Sequence, residues 1–242
     1  MTGATLVLFA VFVGLGRWQW GRFESKQRLW DAFARSDVPA EPLGRRATGE
    51  LPRFAHVRVE GRWQPQRQFL LDNRTLDGRA GYEVLTPFAL PSGRWLLVDR
   101  GWVPFDGFRD HLPEVKAGFD STDTLGASIA GRLDELPVAA LESSRAAPAL
   151  QGPWPRLTNY PHPAELEAAL RSDGAPFSAL EPRLLLLDAG EPRGFERRWQ
   201  PPGQPPATHW SYAVQWWSLA ALLLGLYGVL NTKKKKRQNG ST

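Results

Sequence analysis

The 242-residue chain has no cysteine, and its single methionine is the first residue. That excludes disulfides, zinc–cysteine centres and thiol redox chemistry, and removes the sulfur ligands a Cu(I) carrier needs. Four histidines, His56, His111, His162 and His209, are the only imidazole donors. They are too scattered for a local metal motif such as HExxH. GxSxG, P-loop and GxGxxG patterns are missing as well.

Excess charge is confined to one place. The formal net charge is +5, and the run Lys233, Lys234, Lys235, Lys236 and Arg237 supplies all of it. Without that run, 25 basic residues face 25 acidic ones. The high isoelectric point therefore belongs to a tail, not to the basic folded surface that nucleic-acid binding requires. No nucleic-acid partner is expected.

What the chain does have is two long apolar runs. The first 16 residues, MTGATLVLFAVFVGLG, carry no charge and make roughly 24 Å of helix, short of a hydrocarbon core of about 30 Å. Extending to Trp20 closes the gap if Arg17 snorkels and Trp18 and Trp20 sit at the interface. A cleaved signal peptide is the rival reading, but a basic n-region and a clean A-x-A site are both missing. The second run, 213–230, has Gln215 and Ser218 as its only polar members and is long enough to span. The basic run after it places the C-terminus in the cytoplasm. Two spans then put the N-terminus there too, with residues from about 22 to 208 outside, although Arg17, Arg22, Lys26 and Arg28 argue the other way. The lipid bilayer is thus an expected partner.

Between the spans the pattern is mostly strand. HVRVEGRW (56–63) alternates with period two, and FLLDNR, GYEVLTPFAL and RWLLVDRGWV follow between turn residues. ASIAGRLDE, PRLTNY and EPRLLLLDAG come later. Strands are expected near 56–63, 68–74, 82–90, 95–103, 127–135 and 183–188. One short helix, AELEAALR, starts after Pro163, with Leu166 and Leu170 on its packing face. Residues 105–125 and 137–153 read as long loops. The expected fold is a membrane protein with two transmembrane helices flanking a mostly antiparallel, barrel-like α+β domain outside the cytoplasm, a two-layer sandwich being the alternative. The expected divisions are a first span at 1–20, a helical extension and linker at 21–53, the β-rich domain at 54–200, a Pro-rich connector at 201–208, a second span at 209–231 and a tail at 232–242.

FLLDN, WLLVD and LLLLD each end an apolar run on Asp72, Asp99 or Asp188. Convergent carboxylates for acid–base chemistry are one reading, and aspartates bonding the turn backbone are the favoured one. Arg74 and Arg100 follow two of these residues, as an anion site or, preferably, as neutralising structural cations. Trp18, Arg22 and Lys26 lie four apart, so a helix would bring them to one face, for contact with the second span, a partner or solvent.

LGRWQWGRFESK after the first span resembles the L-G-x-W-Q-x-x-R-x-x-x-K signature of the surfeit locus 1 family of cytochrome c oxidase assembly factors. DNRTLDGRAGYEVLTPF and LLVDRGWVP resemble its central motifs, and HWSYAVQWW resembles the motif entering its second span. The resemblance implies a bacterial plasma-membrane protein that is not an enzyme. It would bind haem a and serve the catalytic subunit of cytochrome c oxidase, with the haem a synthesis enzyme as a further partner. By motif it assigns haem contact to His209, as the iron ligand, and to Trp216. In a helix these two share a face, about 20° and roughly 10 Å apart, with Tyr212 and Ala213 between them. On residues alone, a structural histidine capping the helix in an aromatic belt ranks first. Three functions follow: haem a handling, a non-haem scaffold for an assembly intermediate, and a membrane-anchored hydrolase or lyase using Asp72 or Asp99.

Overall fold

The computed structural model describes residues 2–108, 111–116, 118–119, 125–139 and 141–239, with the backbone alone for 233–239. The side chains of the basic run at 233–237, and part of the loop expected at 105–125, lie outside the described residues. The chain forms two compact units: residues 1–34 with 200–242, and residues 35–199.

The first unit is a pair of helices, α1 (Thr2–Arg35) and α3 (Pro206–Asn239). Each has 34 residues, about 51 Å at 1.5 Å per residue. Both contain stretches long and apolar enough to cross a membrane, Thr2–Arg35 and Pro206–Thr232. Contacts between early α1 and late α3, and between late α1 and early α3, make the pair antiparallel. Thr2 Oγ1 lies 3.0 Å from the Tyr227 hydroxyl, and Lys26 Nζ donates to the Pro202 carbonyl at 2.8 Å. Gly16 is buried. A Cβ there would lie 2.2 Å from Trp217 Nε1, so no larger residue fits without moving the indole.

The second unit is an eight-stranded sheet that curls on itself. Its strands are β1 (Glu41–Pro42), β2 (His56–Trp63), β3 (Phe69–Leu76), β4 (Arg79–Ala89), β5 (Trp95–Pro104), β6 (Ala127–Asp134), β7 (Arg156–Thr158) and β8 (Leu180–Leu187). The order is β1-β2-β6-β8-β5-β4-β3-β7, and an additional pairing of β2 with β4 closes a five-stranded ring. The expected strands are all present within a few residues at their ends, and the ring decides for the barrel-like arrangement over the sandwich. Most pairings are antiparallel, but β1–β2, β3–β7 and β5–β8 are parallel. The parallel β5–β8 pair requires a long crossover, which carries α2 (Pro163–Ser172). Pro163 opens α2 and the Glu165 carboxylate accepts the His162 backbone N–H at 2.8 Å, satisfying a donor that the helix itself leaves free.

Two apolar clusters cover opposite faces of the same strands. Val57, Val59, Trp63, Phe88, Leu96, Val98, Leu133, Leu185 and Leu187 fill the ring. Trp95, Leu97, Leu184, Leu186, Leu71 and Leu85 face outward and are covered by Leu166, Ala169 and Leu170 of α2. This is why WLLV and LLLL run without a polar residue: both faces are buried, so the period of two is hidden. The exposed Arg58 and Glu60 of β2 keep the alternation visible there.

The segment entering this unit is tied down by polar contacts. Arg132 donates to Ser36 Oγ at 2.9 Å and to Asp37 at 3.0 Å. His56 contacts the Val38 carbonyl through Nδ1 and Asp188 Oδ2, at 2.7 Å, through Nε2.

Ring closure rests on a close approach at Gly61, where a Cβ would lie 2.4 Å from the Ala89 carbonyl oxygen and 2.6 Å from the Phe88 ring. Gly61→Ala is expected to cost about 1–3 kcal/mol through forced backbone movement. Gly190→Ala, where a Cβ meets nothing within 4 Å, should be close to neutral. Denaturation midpoints of the detergent-solubilised chain, followed by tryptophan fluorescence, measure both.

Candidate functional site

The entry to α3 is a helix face read at i, i+4, i+7 and i+11: His209, Ala213, Trp216 and Ala220. Ala213 is 0 % exposed and Ala220 is buried too, so this face is the seam against α1. Trp216 stacks on Phe12 with ring centroids 5.8 Å apart and an interplanar angle of 29°. Trp217 meets Trp20 at 5.8 Å. His209 Nδ1 lies 2.9 Å from Gln19 Oε1. When the imidazole proton is on Nδ1, that nitrogen donates to the amide oxygen and Nε2 holds the lone pair. A half-buried imidazole with one nitrogen hydrogen-bonded and the other basic is the chemistry of a metal-ligating histidine. Among the described residues Nε2 makes no hydrogen bond.

The structure thus brings His209 and Trp216 to one face, as their spacing anticipates, and covers the shelf between them with α1. Tyr212 does not share the seam; it is 48 % exposed, about 60° back around the helix from His209. On α1 the packing residues are Phe12, Gly16, Gln19 and Trp20. Trp18, 59 % exposed, and Arg22, also exposed, stand off that seam, and of the Trp18–Arg22–Lys26 face only Lys26 makes a tie, to Pro202. The physical reason is size. Gly16 leaves room for the Trp217 indole against α1, and that contact lies on the inward face. The spacing 12, 16, 19 and 20 marks this face in the sequence without a charged residue.

In the β unit, Arg74 forms an ion pair with Glu83, Nε to Oε2 at 2.9 Å. Arg100 is buried and acts as a structural hub. Its guanidinium donates to the Arg193 carbonyl at 2.6 Å, to Gln68 Oε1 at 2.9 Å and to the Val115 carbonyl at 2.9 Å. It also lies over the rings of Phe119, at 4.3 Å, and Phe195, at 4.6 Å. Asp72 and Asp99 accept backbone N–H groups, of Asn73 at 2.7 Å and of Gly101 at 3.0 Å, in keeping with the favoured structural reading. Asp188 instead pairs with His56.

A groove of about 620 Å³ is lined by Leu43, Arg45, Arg58, Glu60, Leu90 and neighbours; neither Asp72 nor Asp99 borders it. Asp99 is 2 % exposed, and burial pushes its carboxyl well above the usual range, reinforced by the nearby Glu83. This suits an interior acid better than a hydrolytic one open to substrate.

A family model described as the SURF1 family matches residues 6–221. The chain belongs to the SURF1 family. Its members are known as assembly factors for cytochrome c oxidase rather than as enzymes. A SURF1-like protein of Dictyostelium discoideum is 31 % identical over 111 residues, covering 39 % of this chain and 41 % of that protein. A SURF1-like protein of Rickettsia felis is 26 % identical over 99 residues, covering 40 % and 43 %. An uncharacterised SURF1-like protein of Mycobacterium bovis is 29 % identical over 114 residues, covering 44 % and 41 %. The chain thus matches about two fifths of the length of these curated relatives.

Because the folded Asp99 holds its proton to higher pH than the unfolded chain does, the folded state binds more protons. The sign follows: this group's contribution to stability falls as pH rises from about 4 toward the raised folded value. Asp99→Asn keeps an acceptor for the Gly101 N–H and removes the titration. The variant is expected to be more stable than the parent at neutral pH and to have a flatter stability–pH curve between about pH 4 and 8. Urea midpoints across that range measure the difference.

Proposed function

We propose that this SURF1 family member is a membrane-anchored assembly factor for a haem–copper terminal oxidase, holding haem a at the outer membrane boundary for the oxidase catalytic subunit. The observation that carries the reading is the orientation of His209: Nδ1 is tied to Gln19, which leaves Nε2 as the ring nitrogen open to a ligand. Imidazole is a usual axial ligand of haem iron. When bound, haem a supplies the iron centre that the oxidase requires. His209 is the residue that would hold it, and Trp216, Phe12 and the Trp20–Trp217 pair supply apolar, aromatic surroundings near an otherwise polar atom. On this reading both helices cross a bacterial plasma membrane, with their outer ends at the interface and the β unit outside the cytoplasm. The enzyme of haem a synthesis is the donor this arrangement calls for.

The same His209–Gln19 bond also favours a second reading, a scaffold without haem in which the bond simply ties the helices. The two separate on one measurement. In cells able to make haem a, the purified protein should show a Soret band, and His209→Ala should lose most of it while the denaturation midpoint of the β unit stays unchanged. A parent protein without a Soret band would leave the scaffold. Full haem content and an unchanged spectrum in His209→Ala would remove His209 from the site.

Topology has its own test. A reporter active only in the cytoplasm should be active when fused after Thr242 and silent when inserted between Gly107 and Phe108. Activity at the inner position would overturn the proposed orientation.

A further inference from the structure

Gln19 is the one uncharged amide in the stretch from Met1 to Trp20, whose only charged side chain is Arg17. An amide in an apolar helix carries a desolvation cost unless both its position and its partner are settled. Here they are. Gln19 lies beside Trp20, which meets Trp217, and one turn above Gly16, which the Trp217 indole packs against. Its Oε1 is 2.9 Å from His209 Nδ1, across 190 residues of sequence. A free neutral imidazole prefers to carry its proton on Nε2, which would turn an N–H, not a lone pair, toward any metal. A fixed acceptor at Nδ1 reverses that preference.

We propose that Gln19 is a positioning residue for the haem site: it holds His209 in the Nδ1–H tautomer and so keeps Nε2 free to ligate. This rests on the reading of His209 as the iron ligand, but it makes a claim about the protein without haem that can be checked alone. The opposite amide orientation, with the Gln19 NH₂ donating to Nδ1, would instead place the proton on Nε2 and make the residue a hindrance to ligation. The two orientations differ in a proton position, not in a distance.

The test uses the full chain in detergent, made without haem and labelled with ¹⁵N only at histidine, at a pH where the imidazole is neutral. His209→Gln identifies the resonances of His209. In the parent, Nδ1 should appear protonated and Nε2 unprotonated. Gln19→Leu should shift the population toward Nε2–H and weaken haemin binding by about 10- to 100-fold, the usual cost of losing a partner that orients a metal-ligating histidine. Gln19→Glu should retain the Nδ1–H tautomer and lower the reduction potential of the bound haem, because a carboxylate accepts more strongly and makes the imidazole more electron-rich.

A parent protein with the proton on Nε2 overturns the proposal. So does a Gln19→Leu protein with unchanged tautomer and haemin affinity, or a Gln19→Glu protein whose tautomer is reversed. If Gln19→Leu does not fold, the parent spectrum and Gln19→Glu still decide. If instead the tautomers behave as stated but His209→Ala binds haemin like the parent, Gln19 positions His209 and it is the haem-ligand reading that fails.

Discussion

The β unit depends on the closure between β2 and β4, which is only two residue pairs wide, Arg62 with Ala89 and Trp63 with Phe88. So narrow a seam holds because both sides supply large interior side chains beside it: the rings of Trp63 and Phe88 pack edge-on at 5.0 Å. The closing pairs give partners to the ends of β2 and β4 that β1 and β3 do not reach and create an interior for Val57, Val59, Leu96, Val98, Leu185 and Leu187. They also fix which face of β5 and β8 looks outward, and that face is what α2 covers. Without the seam, the strands would present two apolar faces with cover for only one.

Arg100 stabilises the same unit by a different kind of contact. A buried guanidinium is tolerated only when its donors and its charge are both met. Carbonyl oxygens of Val115 and Arg193, the amide of Gln68 and two aromatic faces meet them here. Because these partners come from three separate stretches of chain, the arginine gathers those segments around one side chain. Its neighbour Asp99 points to the opposite face of the strand and resolves burial in the other way, by favouring the neutral acid. Adjacent residues of one strand thus carry opposite solutions to the same desolvation problem.

In the helix pair, small residues do what large ones do in the ring. Gly16, Ala213 and Ala220 allow close approach, and the aromatic rings of Phe12, Trp20, Trp216 and Trp217 fill the space beside them. In an apolar solvent, such packing and interhelical hydrogen bonds, not a hydrophobic drive, hold helices together. The tie between Gln19 and His209 belongs to that set, which is why the chemistry of the candidate site and the stability of the pair share a residue.

Much of this was legible along the chain. Apolar runs of sufficient length marked both terminal helices, alternation and turn residues marked β2 to β6 and β8, and Pro163 with Leu166 and Leu170 marked α2. Motifs spread over the whole sequence indicated the family. These features are local, and local patterns survive without knowledge of what they pack against. The two-residue β1 was not legible, because it has no pattern of its own and exists only where Glu41 and Pro42 meet Val57 and Arg58. Nor could the parallel pairing of β5 with β8 be read, since fully buried strands look alike whichever way they run. His209 and Trp216 were chosen from a motif and their common face from a helical period. That α1 covers this face, that Tyr212 lies off it and that Gln19 rather than Trp18 or Arg22 meets the imidazole were decided by the fit of one glycine against one indole. Sequence spacing determines which residues share a face. Only the packing of two surfaces determines what that face meets.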